Sequence, residues 1–237
     1  MSIQISSNTA VFSQNTPAQH ALQAVIWDLD GVIVDSSQQH RRSWQLLAAE
    51  TGASFTDDDF WSSFGRSNAA IIPLHWGAQL TPAQIDDLAN RKEVYFRDIL
   101  RKEGLKALPG ALELMQEARA AGIKQSLASS TPVENIKVVS ELLGLERWLD
   151  AFVSGDRLPR GKPAPDVFLL AARTLGVEPA CSVVIEDAPA GVAAAKAAEM
   201  RCLAVTTSHP AAVLAAADRI VDSLANIHVA DLQALLP

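Results

Sequence analysis

Residues 24–37 read AVIWDLDGVIVDSS, and this stretch decides how the rest of the chain is interpreted. Its first four residues are apolar and rich in β-formers, which is typical of a strand that is buried on both faces. Two aspartates, Asp28 and Asp30, follow at the carboxyl end of that strand. We therefore predict that both side chains lie at one edge of a sheet, where a ligand can reach them.

After Pro109 and Gly110 the chain alternates between helix-like and strand-like segments. Apolar strands are predicted at residues 124–128, 151–154, 182–185 and 201–205, with helices at 111–121, 132–143, 165–175 and 191–199. Near-continuous apolar strands that alternate with helices predict a parallel sheet covered on both faces, as in a doubly wound, Rossmann-like α/β fold. The carboxyl ends of such strands meet at one edge, where these folds bind ligands.

Residues 37–107 interrupt this pattern because they contain no strand-like run. They are predicted to form amphipathic helices, one near residues 37–51 and one near residues 81–102, which begins with Thr81 and Pro82. An insertion directly after the first strand is expected to lie over the carboxyl edge of the sheet as a cap. We therefore expect a flexible N-terminal arm (1–20), an α/β catalytic core (21–36 and 108–237) and a helical cap (37–107).

The composition excludes several classes of protein. Of the 237 residues, 49% are hydrophobic and 20% are charged, which argues against a disordered chain. The net charge of −7 argues against nucleic acid or an anionic membrane as a partner. Cys181 and Cys202 lack metal-site spacing and are predicted to be buried apolar side chains. Without an apolar run of about 20 residues, or signal-peptide features in residues 1–20, we expect a cytoplasmic protein. We also expect a monomer.

Candidate functional residues lie at the carboxyl ends of several predicted strands or just before a helix; they are Asp28, Asp30, Ser129, Ser130, Lys162, Glu186 and Asp187. Each has a plainer explanation taken alone, since such residues also form turns, cap helices or lie in solvent. Four acidic groups at one edge would nevertheless repel each other unless a cation neutralised them. A hard divalent ion such as Mg²⁺ suits that position.

Four segments together resemble a known family: DLDGVIVD (28–35), LASST (127–131), GKPAPDVF (161–168) and VIEDAPAG (184–191). In this order they resemble the four motifs of the haloacid dehalogenase-like superfamily, and the resemblance extends from about residue 24 to the C-terminus. The chain is most similar to the subgroup of β-phosphoglucomutase and the small sugar-phosphate phosphatases. In that subgroup a helical cap is inserted after the first motif, as expected here.

The resemblance implies a role for each matching residue. Asp28 would be the nucleophile that becomes an aspartyl phosphate, and Asp30 the general acid and base. Ser129, Ser130 and nearby backbone amides would hold the phosphoryl oxygens, while Lys162 would neutralise the nucleophile and the transferring group. Asp30 also separates this chain from true dehalogenases, which lack the second aspartate because a halide leaving group needs no proton.

The resemblance also implies a Mg²⁺ site. Its ligands would be Asp28, Asp187 and the backbone carbonyl of Asp30, with Glu186 supporting that set. The expected ligand is therefore a small phosphorylated metabolite bound beside Mg²⁺.

Substrate choice is expected to lie in the cap. His40 matches a histidine of the mutase subgroup, although it could equally be a histidine on a helix surface. FGRSNAAI (64–71) resembles a specificity loop in which mutases carry an arginine where this chain has Asn68. Loss of that arginine weakens the grip on a second phosphate by roughly 1.5–3 kcal/mol. We therefore favour hydrolysis, with His40, Arg66 and Lys92 as candidate substrate contacts.

Several alternatives remain open from the sequence alone. A mutase would return the phosphoryl group to the sugar, and a phosphonate hydrolase would use a cap lysine, Lys92 among others, for a Schiff base. A phospho-accepting receiver also combines aspartates, a hydroxyl and a lysine on a doubly wound sheet, but it has no cap. An inactive relative would not be expected to retain Asp28, Asp30, Lys162 and Asp187.

Overall fold

The computed structural model describes residues 21–63, 66–156 and 158–237. The expected N-terminal arm and residues 64 and 65 of the specificity loop lie outside the described residues. The strands are β1 (Ala24–Trp27), β2 (Lys124–Ser129), β3 (Ala151–Ser154), β4 (Ser182–Glu186), β5 (Arg201–Val205) and β6 (Arg219–Val221). The helices are α1 (Ser37–Thr51), α2 (Asp57–Ser63), α3 (Asn68–Trp76), α4 (Pro82–Glu103), α5 (Ala111–Ala120), α6 (Val133–Leu143), α7 (Asp166–Leu175), α8 (Pro189–Ala197) and α9 (Val229–Gln233).

The six strands form one parallel sheet in the order β3-β2-β1-β4-β5-β6. The chain runs outward from β1 to β3 on one side and then returns to place β4 on the other side of β1. The strand order therefore reverses between β1 and β4, where doubly wound sheets have their ligand crevice. The predicted fold class is confirmed, and the end of β1 lies at this crevice.

Both faces of the sheet are covered, which explains the continuous apolar run of β1 and the apolar centres of β4 and β5. Val25 and Trp27 face one hydrophobic cluster, and Ile26 faces the other. The Trp27 indole donates to Gln125 Oε1 at 3.1 Å, so this buried polar pair is satisfied. Both cysteines are also buried and free, as predicted.

Four helices, α1 to α4, lie between β1 and the rest of the sheet along the chain. They share a separate hydrophobic cluster that includes Trp44, Phe55 and Ile72. The sequence indicated α1 and α4 but not α2 and α3, which have 7 and 9 residues and are too short to establish a helical periodicity. The strand β6 was also missed, because its three residues are too few to show a strand pattern. Among the described residues, no helix is long and apolar enough to span a membrane.

The chain leaves and re-enters the sheet through two segments that lie side by side. Val34 pairs with Ala107 in an antiparallel bridge, and the Leu108 amide donates to the Ile33 carbonyl at 2.8 Å. The segment at Val34 follows closely on the turn at Asp28 and Asp30, and the segment at Ala107 is paired with it. The helical insertion is thereby attached next to the carboxyl edge of the sheet.

Candidate active site

Asp28 lies directly after β1, and its amide donates to the Ile185 carbonyl of β4 at 3.0 Å. Its side chain is buried, and Oδ1 accepts a hydrogen bond from Lys162 Nζ at 2.6 Å. Lys162 Nζ donates at the same distance to Glu186 Oε1 at the end of β4. The fold therefore joins three of the predicted residues, which are more than twenty positions apart in sequence, into one ion-paired group.

Lys162 is held in this position by more than its two carboxylates. Its Nζ lies 4.8 Å from the ring centroid of Phe168, a fully buried side chain of α7. Burial by itself lowers the pKa of Lys162, but the charges of Asp28 and Glu186 outweigh it and hold the pKa above its ordinary value. The two carboxylates therefore favour the charged form of Lys162 beside Asp28.

Both carboxylate oxygens of Glu186 accept hydrogen bonds within the site. Its Oε1 accepts from Lys162, and its Oε2 accepts from the backbone amides of Asp187 and Ala188, both at 2.8 Å. Gly191 makes room for it, because a Cβ there would lie 1.6 Å from Glu186 Oε1. Glu186 thus orients Lys162, and its place in support of the metal ligands stays a prediction.

A cation fits next to this group. Carboxylate oxygens of Asp28, Glu186 and Asp187 all lie within 4.8 Å of one another, and all three residues are buried. Burial, followed by the charge of Glu186, raises the pKa of Asp187 to about 7. Burial also raises the pKa of Asp28 well above its ordinary value, against the opposing effect of Lys162. A divalent ion with a preference for oxygen ligands would favour the charged form of both aspartates.

The turn after β1 depends on glycine at position 31. Gly31 has a φ of +81°, and a Cβ at this position would lie 1.8 Å from Asp187 Oδ2. Both the backbone conformation and the close approach of Asp187 therefore exclude a side chain.

The Asp30 side chain lies apart from this acidic group. It accepts a hydrogen bond from Ser36 Oγ, and its Oδ2 accepts one from Thr131 Oγ1 at 3.0 Å. Ser36 directly precedes α1, and Thr131 follows β2. Asp30 is thus held between the start of the helical insertion and the loop after β2, and only its backbone remains for the predicted metal contact.

The loop after β2 contains the predicted phosphate-binding serines. Ser129 is buried, and its Oγ accepts from the Thr131 amide at 3.2 Å, whereas Ser130 is exposed. Through Thr131 this loop lies next to Asp30. Both serines stay predicted phosphate contacts.

Two of the three cap candidates contact each other. His40 Nδ1 lies 2.7 Å from Lys92 Nζ, and the His40 ring stacks on Phe96 with 3.8 Å between centroids. Burial, followed by the charge of Lys92, lowers the pKa of His40 to about 4, so His40 is neutral. Arg66 is exposed in the loop before α3, and only its backbone hydrogen bond to Ser63 is described. His40 is half-buried, with its ring against Phe96 and Lys92.

Sequence reasoning missed the segment after β5. The Ser208 side chain hydrogen-bonds to Asp187, and His209 Nδ1 lies 3.2 Å from the Asp187 carbonyl oxygen. Ser36 and Thr131 were also missed as partners of Asp30. Serine and threonine are too common in turns for their position in sequence to indicate such contacts.

The charged group lies at the switch point, where doubly wound sheets bind their ligands. The chain belongs to the haloacid dehalogenase-like hydrolase family, whose family model matches residues 22–199. This confirms the resemblance carried by the four motifs and favours an enzyme over a receiver.

Similar proteins include both a phosphatase and a mutase. Hexitol phosphatase A of Escherichia coli (strain K12) is 34% identical over 86% of this chain and 92% of that protein. Beta-phosphoglucomutase of Bacillus subtilis (strain 168) is 34% identical over 80% of this chain and 85% of that protein. Protein SUPPRESSOR OF QUENCHING 1, chloroplastic, of Arabidopsis thaliana is 38% identical over 89% of this chain. The match spans only 20% of that longer protein.

Solved structures agree with the family. The crystal structure of CbbY from Rhodobacter sphaeroides in complex with phosphate superposes with a TM-score of 0.80 at 28% identity. The match covers 89% of this chain and 99% of that one, so it includes both the sheet and the helical insertion.

Proposed function

We propose that this protein is a Mg²⁺-dependent phosphatase that hydrolyses a small phosphorylated metabolite through an aspartyl phosphate. A sugar phosphate is the substrate that we favour. The observation that carries the proposal is the pairing of Asp28 with a charged Lys162 beside Asp187. A carboxylate is a useful nucleophile toward phosphorus only when surrounding positive charge offsets the repulsion between anions.

The first step forms a bond between an Asp28 carboxylate oxygen and phosphorus, while the bond from phosphorus to the leaving oxygen breaks. Asp30 gives its proton to that oxygen, so that the product leaves as an alcohol. In the second step water attacks phosphorus, and Asp30 accepts the proton of the water. The bond between Asp28 and phosphorus then breaks, which releases phosphate and restores the carboxylate.

The other residues of the site bind and orient the phosphoryl group. Lys162 neutralises Asp28 and the transferring group, and Ser129 and Ser130 hold phosphoryl oxygens with nearby backbone amides. Asp28, Asp187 and the backbone carbonyl of Asp30 would hold Mg²⁺. When bound, the ion supplies positive charge that lowers the repulsion between the substrate and the carboxylates.

We further propose that residues 37–107 act as a cap over the catalytic core formed by residues 21–36 and 108–237. The paired segments at Val34 and Ala107 would serve as its hinge. His40 and Lys92 would face the leaving group, with Arg66 as a further contact. The cap would exclude water during phosphoryl transfer and reopen for hydrolysis and release.

A mutase is the second candidate, because the β-phosphoglucomutase relative is as similar as the phosphatase. A mutase must also grip a second phosphate. Asn68 occupies the position at which the mutases carry an arginine. Its side chain is neutral, and its Nδ2 donates to Glu93 Oε1 at 2.7 Å. We therefore favour hydrolysis.

An assay with a panel of phosphorylated sugars, hexitols and nucleotides tests this choice. With Mg²⁺ present, we expect phosphate release from a sugar or hexitol phosphate and no isomer interconversion, with or without a sugar bisphosphate. Bisphosphate-dependent interconversion without net phosphate release would contradict the proposal and identify a mutase.

Replacing Asp30 by asparagine is expected to lower the reaction rates of different phosphate esters to different extents. A sugar-like leaving group needs a proton, whereas a phenolate does not, so the rate of the first step should fall about 10²- to 10⁴-fold for the former and far less for the latter. Single-turnover rates of leaving-group release from glucitol 6-phosphate and 4-nitrophenyl phosphate measure the difference, because kcat also includes the hydrolysis step in which Asp30 is the base for both esters. Equal losses in the first step would show that the Asp30 side chain does not protonate the leaving group.

A further inference from the structure

The insertion and the core share a buried polar cluster centred on Glu93 of α4. Oε1 of Glu93 accepts from Lys92 Nζ at 2.9 Å and from Asn68 Nδ2 at 2.7 Å. Oε2 accepts from Asn135 Nδ2 at 2.6 Å. Lys92 and Asn68 belong to the insertion, whereas Asn135 lies in the first turn of α6 in the core. One carboxylate therefore joins the two parts of the molecule.

Asn135 is held at both ends of its amide by the same helix. Its Nδ2 donates to Glu93, and its Oδ1 accepts from Arg97 Nη1 at 2.9 Å. Glu93 and Arg97 are one turn apart, so they present to the same face of α4. Asn135 is completely buried and follows closely on the loop of Ser129 and Ser130. This contact fixes α4 against the part of the core that carries the predicted phosphate-binding loop.

Glu93 also fixes the orientation of Lys92. The Lys92 side chain is only 2% exposed, and its Nζ lies 5.4 Å from the Trp44 ring and 5.3 Å from the Phe96 ring. A buried ammonium group needs a charged partner, and Glu93 is the carboxylate that contacts it. Burial raises the pKa of Glu93, but the charge of Lys92 opposes it and the net pKa is about 2. The pair is therefore ionic, and the remaining donors of Nζ can reach His40.

The Lys92–His40 pair is linked to Asp30 through Ser36, because the His40 amide donates to the Ser36 carbonyl at 3.0 Å and the Ser36 hydroxyl donates to Asp30. Burial lowers the pKa of both side chains, and in each case the negative charge of Asp30 partly opposes that effect. Asp30 is the residue expected to protonate the leaving oxygen. A shift of the pair would therefore affect the leaving group more than the phosphoryl group.

We propose that Glu93 is a positioning residue, which orients the Lys92–His40 pair with one oxygen and seats it on the core through Asn135 with the other. This inference rests on the proposed phosphatase function. Glu93 contacts neither substrate nor metal; it acts through the residues that it holds. The alternative is an ion pair that only stabilises the insertion.

The test compares E93Q with E50Q. Glu50 is a matched control because it also pairs with α4, through Arg91 and Tyr95, but on the exposed side of the insertion. We expect E93Q to lower kcat for glucitol 6-phosphate about tenfold or more, while its KM for that substrate changes less than about threefold. The kcat for 4-nitrophenyl phosphate should also change less than about threefold. Glu93→Asp, which keeps the charge, should recover part of the loss, and E50Q should match the wild type.

Amide hydrogen exchange in residues 133–143 gives a readout that does not depend on the substrate. E93Q and Asn135→Ala should both accelerate exchange at the start of α6, whereas E50Q should not. Unchanged exchange in E93Q, or equal kinetic losses on the two esters, would overturn the positioning role. Failure of both variants to fold would also overturn it, because the cluster would then serve stability. A wild-type protein inactive on both esters would contradict the proposed function, whereas unchanged exchange in E93Q would separately contradict the seating of α4 on the core through Asn135.

Discussion

Replacing Asp28 by asparagine is expected to reduce the rate of phosphate release by about 10⁴-fold or more, because a neutral amide is a much weaker nucleophile toward phosphorus than a carboxylate. The fold should survive the change. Asparagine is nearly isosteric and can still accept from Lys162 through its oxygen, and Glu186 continues to pair with that lysine at 2.6 Å. Initial rates with saturating substrate and Mg²⁺, together with a thermal unfolding curve, measure both effects.

Asp35→Asn is the matched control for this variant. Asp35 belongs to the same motif but is exposed, and its Oδ1 accepts from the Ser37 amide at 3.0 Å. Asparagine can accept the same bond, so activity should stay close to that of the wild type. If the Asp28 variant retained activity within about tenfold of the wild type, Asp28 would not be the nucleophile.

Removal of divalent metal is expected to abolish turnover, a loss of at least about 100-fold, and added Mg²⁺ should restore it. Without a cation, Asp28 and Asp187 are buried close to Glu186, and the pKa of Asp187 rises to about 7. The pKa of Asp28 is raised as well, so its protonation would weaken the nucleophile, and any negative charge that remained would repel an anionic phosphate. Phosphate release is measured after treatment with excess chelator and again during a Mg²⁺ titration. Full activity in excess chelator would contradict the metal assignment.

The same site predicts a linked change in stability. Because the pKa of Asp187 is higher in the folded than in the unfolded state, the folded protein binds the proton more tightly. Without metal, the contribution of Asp187 to the free energy of unfolding should therefore decline as pH rises from about 4 to about 7. At pH 7 saturating Mg²⁺ should raise the melting temperature, since it binds the folded state, and Asp187→Asn should reduce that increase.

The sequence by itself determined the fold class and most of the charged residues at the sheet edge. β1, β3 and β5 have the bounds that the sequence predicts, and β1 is the clearest case because a strand buried on both faces is apolar throughout. Once the strands are parallel, residues that follow them lie at one edge. This is why Asp28 and Asp187 were predicted near each other although 159 residues separate them.

Only the tertiary structure decided which atoms are in contact. The Asp30 carboxylate binds Thr131, which is 101 positions away, and the Glu93 carboxylate binds Asn135, which is 42 positions away. Hydrophobic periodicity fixes which face of a helix is buried, but it does not specify the partner of a buried polar group. That partner depends on how α4 and α6 meet across two parts of the molecule, and therefore on packing that no local segment encodes.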